Sequence, residues 1–194
     1  VLEPKVGIMK NIVVLDLKNL YPAIMLACNC SPETIDSNGE IKVGNGVCFR
    51  KEAGITKEIL ENLIRERDKL RAMLKTPEVF NDKDKYTNIY KKAYYYKTFT
   101  NSFYGVQAYP GFRLYNPAIG ASITYLGRYL VKQIQELCEI QGYIVIRSDT
   151  DAVFVNGHVK SQEEAIKLGK ELEKKINESF VAWFENTNID TSYF

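Results

Sequence analysis

The chain has 194 residues, 45% of them apolar, with 26 Lys and Arg against 24 Asp and Glu, one His and four Cys. That length supports one hydrophobic core with room for an insertion, and the composition excludes a disordered or fibrous chain. The lone histidine and the lack of a Cys-x-x-Cys pair argue against zinc, and no apolar run is long enough to cross a membrane, so an intracellular, soluble protein is expected.

Residues Met9–Leu17 form a near-continuous apolar run with Asp16 at its end, the pattern of a strand buried on both faces. Lys18-Asn19-Leu20-Tyr21-Pro22 follows, then the apolar Ala23–Ala27; Asn38-Gly39, Gly44 and Gly46 mark a loop or hairpin before Val47-Cys48-Phe49. Thr56 to Lys75 predicts a helix, with Leu60, Leu63, Ile64, Leu70, Met73 and Leu74 at helical spacing and Thr76-Pro77 as its stop. Arg67 and Arg71 fall on or beside that apolar stripe, where a basic residue is either a snorkelling stem or part of a site. About half of all Lys and Arg lie between Arg50 and Lys97, a local basic surface that suits a polyanion as well as it suits plain solvation.

After a polar link at Val79–Lys85, a second helix is expected from Tyr86 to Tyr104, closed by Gly105 and Pro110. Tyr90, Tyr94, Lys97, Asn101 and Tyr104 share one of its faces, and tyrosines interleaved with Lys and Asn suit phosphates and stacked bases. The two helices would form a helical hairpin inserted between β segments. Asn116-Pro117 starts a further helix that ends at Gly142, and Ser161-Gln162-Glu163-Glu164 reads as a capping box before a last helix over Ala165–Phe184. Between these, Tyr143–Ile146 and Ala152–Val155 flank Ser148-Asp149-Thr150-Asp151, a β-hairpin with acids at its tip. Residues two apart in extended chain point the same way, so Asp149 and Asp151 can face one site, or equally form a plain solvated hairpin tip.

Strands alternating with helices, and acids on the strands, imply an α+β core with a separate helical subdomain. Asp16, Asp149 and Asp151 supply hard oxygen donors for Mg²⁺, and Arg67, Arg71, Lys97 and Asn101 supply phosphate contacts, the parts that phosphoryl or nucleotidyl transfer requires. A glycosyltransferase with an Asp-x-Asp metal motif would satisfy the same list. The four thiols, Cys28, Cys30, Cys48 and Cys138, read as buried or free in a reducing compartment.

The ordered motifs resemble the family B DNA polymerases. Asp16-Leu17-Lys18-Asn19-Leu20-Tyr21-Pro22, followed by Cys30-Ser31-Pro32-Glu33-Thr34, is similar to the family's first motif. Lys97-Thr98-Phe99-Thr100-Asn101-Ser102-Phe103-Tyr104-Gly105 is similar to the second, and Ser148-Asp149-Thr150-Asp151 to the third. Arg67 matches a further basic position, and Thr124, Gly127 and Arg128 fit the helix before the third motif. The resemblance implies a palm, an antiparallel sheet backed by helices, at residues 1–55 and 108–194, with fingers at 56–107. It implies two Mg²⁺ ions, replaceable by Mn²⁺, on Asp16, Asp151 and the Leu17 carbonyl with Asp149 assisting. By the same resemblance Asn19, Leu20, Tyr21, Arg67, Arg71, Lys97 and Asn101 would hold the incoming dNTP, Tyr21 would be the steric gate against ribose, and Tyr104 would pack beside the nascent base pair.

Primer-template DNA, dNTPs and the remaining polymerase domains or subunits are the partners so implied, without a membrane, in the cytoplasm of a prokaryote or the nucleus of a eukaryote. Ser148, Ala152, Asn19 and Ala23 depart from common family residues: Ser148 stands where a glycine usually bends the hairpin, and Ala152 lacks a hydroxyl beside the metals. A catalytically weak or inactive paralogue that binds primer-template or partner subunits is therefore the alternative. No stretch resembles the family's proofreading exonuclease, N-terminal domain or thumb, and the chain, which opens without Met, reads as a piece of a longer protein.

Overall fold

The computed structural model describes residues 6–194. Three strands, β1 (Val13–Asp16), β4 (Ile144–Asp149) and β5 (Ala152–Asn156), form an antiparallel sheet in the order β1-β5-β4. Two helices, α5 (Pro117–Ile140) and α6 (Gln162–Trp183), pack on it. Opposed residues of an antiparallel sheet share a face, and here one face is buried while the other carries the charged residues. Val13, Leu15, Val153, Val155, Val145 and Ser148 are buried in the core. The other face carries Val14, Asp16, Ala152, Phe154, Arg147 and Asp149, and Val14 is 51% exposed. The expected strand buried on both faces is thus four residues long and buried on one. An apolar run records low polarity, not what covers it; this face is left open.

Helix α1 (Leu20–Ala27) follows β1 directly and is buried along its length except at Tyr21. A small hairpin of β2 (Ile41–Lys42) and β3 (Cys48–Phe49) lies beyond it. Helix α2 (Ile55–Met73) packs lengthwise on α4 (Lys83–Gln107); of the expected polar link Val79–Lys85, a single-turn helix α3 (Pro77–Phe80) takes the start and α4, beginning at Lys83, the end. Gly105 does not stop α4, which runs on to Gln107: one interior glycine costs about 1 kcal/mol, less than the packing that Gln107 and its turn contribute.

The two ends of this helical pair converge on a buried polar cluster. Gln107 donates from Nε2 to Thr56 Oγ1 (2.8 Å), and Ser31 Oγ bonds Thr56 Oγ1 at 3.1 Å. Asn29, in left-handed backbone at φ 52°, donates to the Arg50 and Glu52 carbonyls (2.7 and 2.6 Å) and accepts from the Gly54 amide (2.9 Å). One buried atom, Gln107 Oε1, has no partner among the described residues.

Caps fall where the sequence placed them. Asn116 Oδ1 accepts from the Ala118 amide (2.9 Å), Gly142 sits at φ 83° after α5, and Ser161 Oγ accepts from the Glu164 amide (3.1 Å). The Glu164 carboxylate reaches the Lys160 amide, not that of Ser161, so only half of the capping box forms. All four cysteines are free thiols, and no helix among the described residues is long and apolar enough to cross a membrane.

Candidate active site

On the open sheet face, two rows of side chains run across the strands: Val14, Phe154 and Arg147, then Asp16, Ala152 and Asp149. The second row puts Asp16 and Asp149 on either side of Ala152, two interstrand spacings or roughly 10 Å apart at the backbone. Asp151 belongs to neither strand. It lies in the turn after Thr150, whose φ of 42° is unusual for a β-branched residue, and its carbonyl accepts the Leu17 amide at 2.8 Å. That bond extends the β1–β5 ladder by one step and draws Asp151 beside Asp16.

The carboxyl of Asp151 is raised above the ordinary range, first by burial, then by the charge of Asp16, with Asp149 a smaller contributor. Asp149 ends β4 and does not line the cleft that opens beside Asp16 and Asp151, whereas Asp151 lies in the turn beyond Thr150, so the tip is not the continuous extended chain in which residues two apart alternate. The left-handed turn at Thr150 interrupts the alternation, and Asp149 turns to Arg147 in an ion pair while accepting Thr150 Oγ1 at 3.3 Å. The tight bend sits at Thr150; Ser148 is an ordinary buried strand residue opposite Val153, so its side chain does not occupy the bend.

A cleft of about 460 Å³ opens beside Asp16 and Asp151. Across it stand Arg67 and Arg71 from α2 and Lys97 and Asn101 from α4, with Asn19, Leu20 and Tyr21 at the floor. Asn19, at φ 53°, is the cap of α1, and its Oδ1 accepts from Arg67 Nη1 at 3.3 Å. Arg67 is only 7% exposed, and no ion pair among the described residues includes it. Burial, then the neighbouring Arg71, lowers its pKa, while Asp68 opposes the shift. A buried guanidinium without a carboxylate is costly unless something anionic meets it. The Leu20 amide is used by the Leu17 carbonyl (3.2 Å) and Pro22 has none, which leaves the Tyr21 amide as the first-turn donor of α1.

Tyr21 separates this cleft from a second of about 540 Å³ under α5, lined by Gly127, Arg128 and Thr150 among others. Its ring lies 4.4 Å from that of Tyr104, and a Cβ at Gly127 would come within 3.5 Å of its edge. The phenol is raised by burial, then by Tyr104 and Asp151. Of the aromatic and polar stripe on α4, Lys97, Asn101 and Tyr104 reach this region, while Tyr90 and Tyr94 are exposed and line no part of the cleft.

Of the residues expected at the site, Asp16, Asn19, Leu20, Tyr21, Arg67, Arg71, Lys97, Asn101 and Asp151 share this cleft; Leu17 and Asp149 do not line it. Leu17 lines a larger cavity, about 740 Å³, between β1, α6 and the chain's own Tyr193 and Phe194. That cavity is mostly apolar and shares only Asp16, Lys18 and Leu20 with the cleft, so the chemistry belongs to the smaller one. Lys18, Pro22 and Thr150 were not anticipated as cleft residues, although Lys18 and Pro22 sit inside the first motif.

Two converging carboxylates fit a hard divalent ion, and the mutual repulsion recorded at Asp151 is what such an ion relieves. Among the described residues no three acidic, His or Cys side chains form a cage, so the donor set fits an ion that arrives with phosphate oxygens. In one cleft, two acids stand opposite cations that join no ion pair among the described residues, an arrangement that suits a phosphate-bearing ligand.

The model of DNA polymerase family B matches residues 1–192. A DNA polymerase of Archaeoglobus fulgidus is 32% identical over 181 residues, 91% of this chain and 23% of that protein. DNA polymerase 1 of Sulfolobus acidocaldarius is 34% identical over 93% of this chain and 22% of its own. The DNA polymerase alpha catalytic subunit of Xenopus laevis is 29% identical over 93% and 13%. The solved family B DNA polymerase from Pyrobaculum calidifontis shares the fold at a TM-score of 0.65 and 28% identity, over 89% of this chain and 24% of that one. The chain belongs to DNA polymerase family B. It spans about a quarter or less of the length of these relatives.

Proposed function

We infer that this chain is the palm and fingers of an enzyme that extends DNA by template-directed transfer of a nucleotidyl group from a dNTP to a primer 3′-hydroxyl. The observation that supports this reading best is Arg67, a buried guanidinium that joins no ion pair among the described residues, facing Asp16 and Asp151 across a cleft. In this reading residues 1–55 and 108–194 form the palm and residues 56–107 the fingers. Asp16 and Asp151 would hold Mg²⁺ or Mn²⁺ together with triphosphate oxygens. Two such ions would supply an activated 3′-hydroxyl and neutralise the departing pyrophosphate.

The chain's own side chains do the positioning. Arg67, held by Asn19, meets the triphosphate with charge-assisted bonds, and Lys97, Asn101 and Arg71 close on it from the open side. The Tyr21 ring, wedged between Tyr104 and α5, fills the space of a ribose 2′-hydroxyl, and Tyr104 borders the nascent base pair. Primer-template DNA would lie along the open sheet face, with the remaining polymerase domains supplying most backbone contacts.

A second reading, a polymerase-like protein that binds DNA or partner subunits with little catalysis, draws on the diversion of Asp149 to Arg147 and on Ala152. Primer extension by the full-length protein with Mg²⁺, beside Asp151→Asn, separates the two. Polymerisation predicts extension that falls about a hundredfold or more in the variant. A folded protein that binds primer-template yet extends nothing supports the second reading.

A further inference from the structure

Arg147 has no part in the cleft, yet it contacts one of the three motif acids. It stands in the row of the open face next to that of Asp149, two residues back along β4, and its guanidinium lies 6.0 Å from the centre of the Phe154 ring. The ring steers the side chain along the strand, where it meets the Asp149 carboxylate. Asp149 is also separated from Asp16 by the whole width of β5 at Ala152, and it does not line the cleft that Asp16 and Asp151 share.

Building on the metal-dependent reading above, we propose that Arg147 is a positioning residue that withholds the Asp149 carboxylate from the divalent-ion site. The site then works with two carboxylates, and Asp149 is a third ligand in reserve. Both partners are about half exposed, at 50% and 47%, so the restraint is a several-fold bias and not a lock. Ala152 contributes by omission: its single methyl offers no hydroxyl to bridge Asp16 and Asp149 across β5.

The test is Mn²⁺ binding to the full-length protein without nucleotide or DNA, followed by the electron paramagnetic resonance of free Mn²⁺, with folding of each variant checked by circular dichroism. Arg147→Gln should tighten binding about three- to tenfold, the Coulomb scale of one carboxylate turning to a divalent ion at partly solvated range. Asp149→Asn alone should change binding less than about twofold, but should erase the gain when combined with Arg147→Gln. A gain that survives in the double variant would be bulk charge alone and would overturn the proposal. So would an Asp149→Asn loss as large as that of Asp151→Asn, because Asp149 would then be a full ligand already. If Asp151→Asn leaves Mn²⁺ binding unchanged, the metal-site reading itself fails, and the role of Arg147 falls with it.

Discussion

Arg67 carries a cost that only a ligand repays. Its charge is desolvated, its neighbour Arg71 repels it, and its one hydrogen bond among the described residues is to the neutral Asn19. Arg67→Met should therefore hold or raise the melting temperature of the ligand-free protein, since an apolar side chain of similar reach packs without the penalty. The same variant should raise KM for dNTP about tenfold or more, the scale of one lost charge-assisted bond. A drop in melting temperature would mean that the guanidinium is structural. Asp151 makes the converse point about pH. Its folded pKa is raised, so the folded state holds a proton that the unfolded state has already lost. The ionised form is penalised at neutral pH, and the penalty fades as pH falls through the carboxylate range. In metal-free buffer, Asp151→Asn should thus melt higher than the parent at pH 7 and level with it in acid; Mg²⁺ with dNTP should favour the parent instead. The inward place of Arg67 was legible because a basic residue on an apolar stripe contradicts its surroundings. The parting of Asp149 from Asp151 was not, since it depends on one left-handed residue, Thr150, of a type that seldom adopts that backbone.

The limits of α5 and α6 were the most readable, because capping is local chemistry: Asn116 with Pro117, Ser161 and Gly142 all act within a turn of their position. Strand character was less so. Whether the run before Asp16 has one covered face or two depends on helices more than a hundred residues away. The base of the α2–α4 pair was hidden for the same reason, being assembled from Asn29, Ser31, Thr56 and Gln107. Asn29 closes three backbone groups at once in left-handed backbone, where Asn is better tolerated than most residues. Asn29→Ala should cost roughly 1–3 kcal/mol in denaturant unfolding, because a buried amide and two part-buried carbonyls lose their partner. A cost below about 1 kcal/mol would show that water reaches them.

At the scale of the molecule, the sheet buries one face, with Val13, Leu15, Val153, Val155 and Val145, and carries all its charged side chains, Asp16, Arg147 and Asp149, on the other. A slip of one residue in the β1–β5 register would exchange Asp16 with a buried leucine and reverse both faces together. Misregistered molecules then lack the assembled cleft as well as stability, so a preparation should contain binding-competent and incompetent protein with little between. Loss of Mg²⁺–dNTP binding should track loss of helical circular dichroism through one denaturant transition, and binding that disappears first would expose a folded but disabled state. For anyone recovering this chain from inclusion bodies, titration of the cleft with Mg²⁺–dNTP would serve as a direct count of correctly refolded molecules.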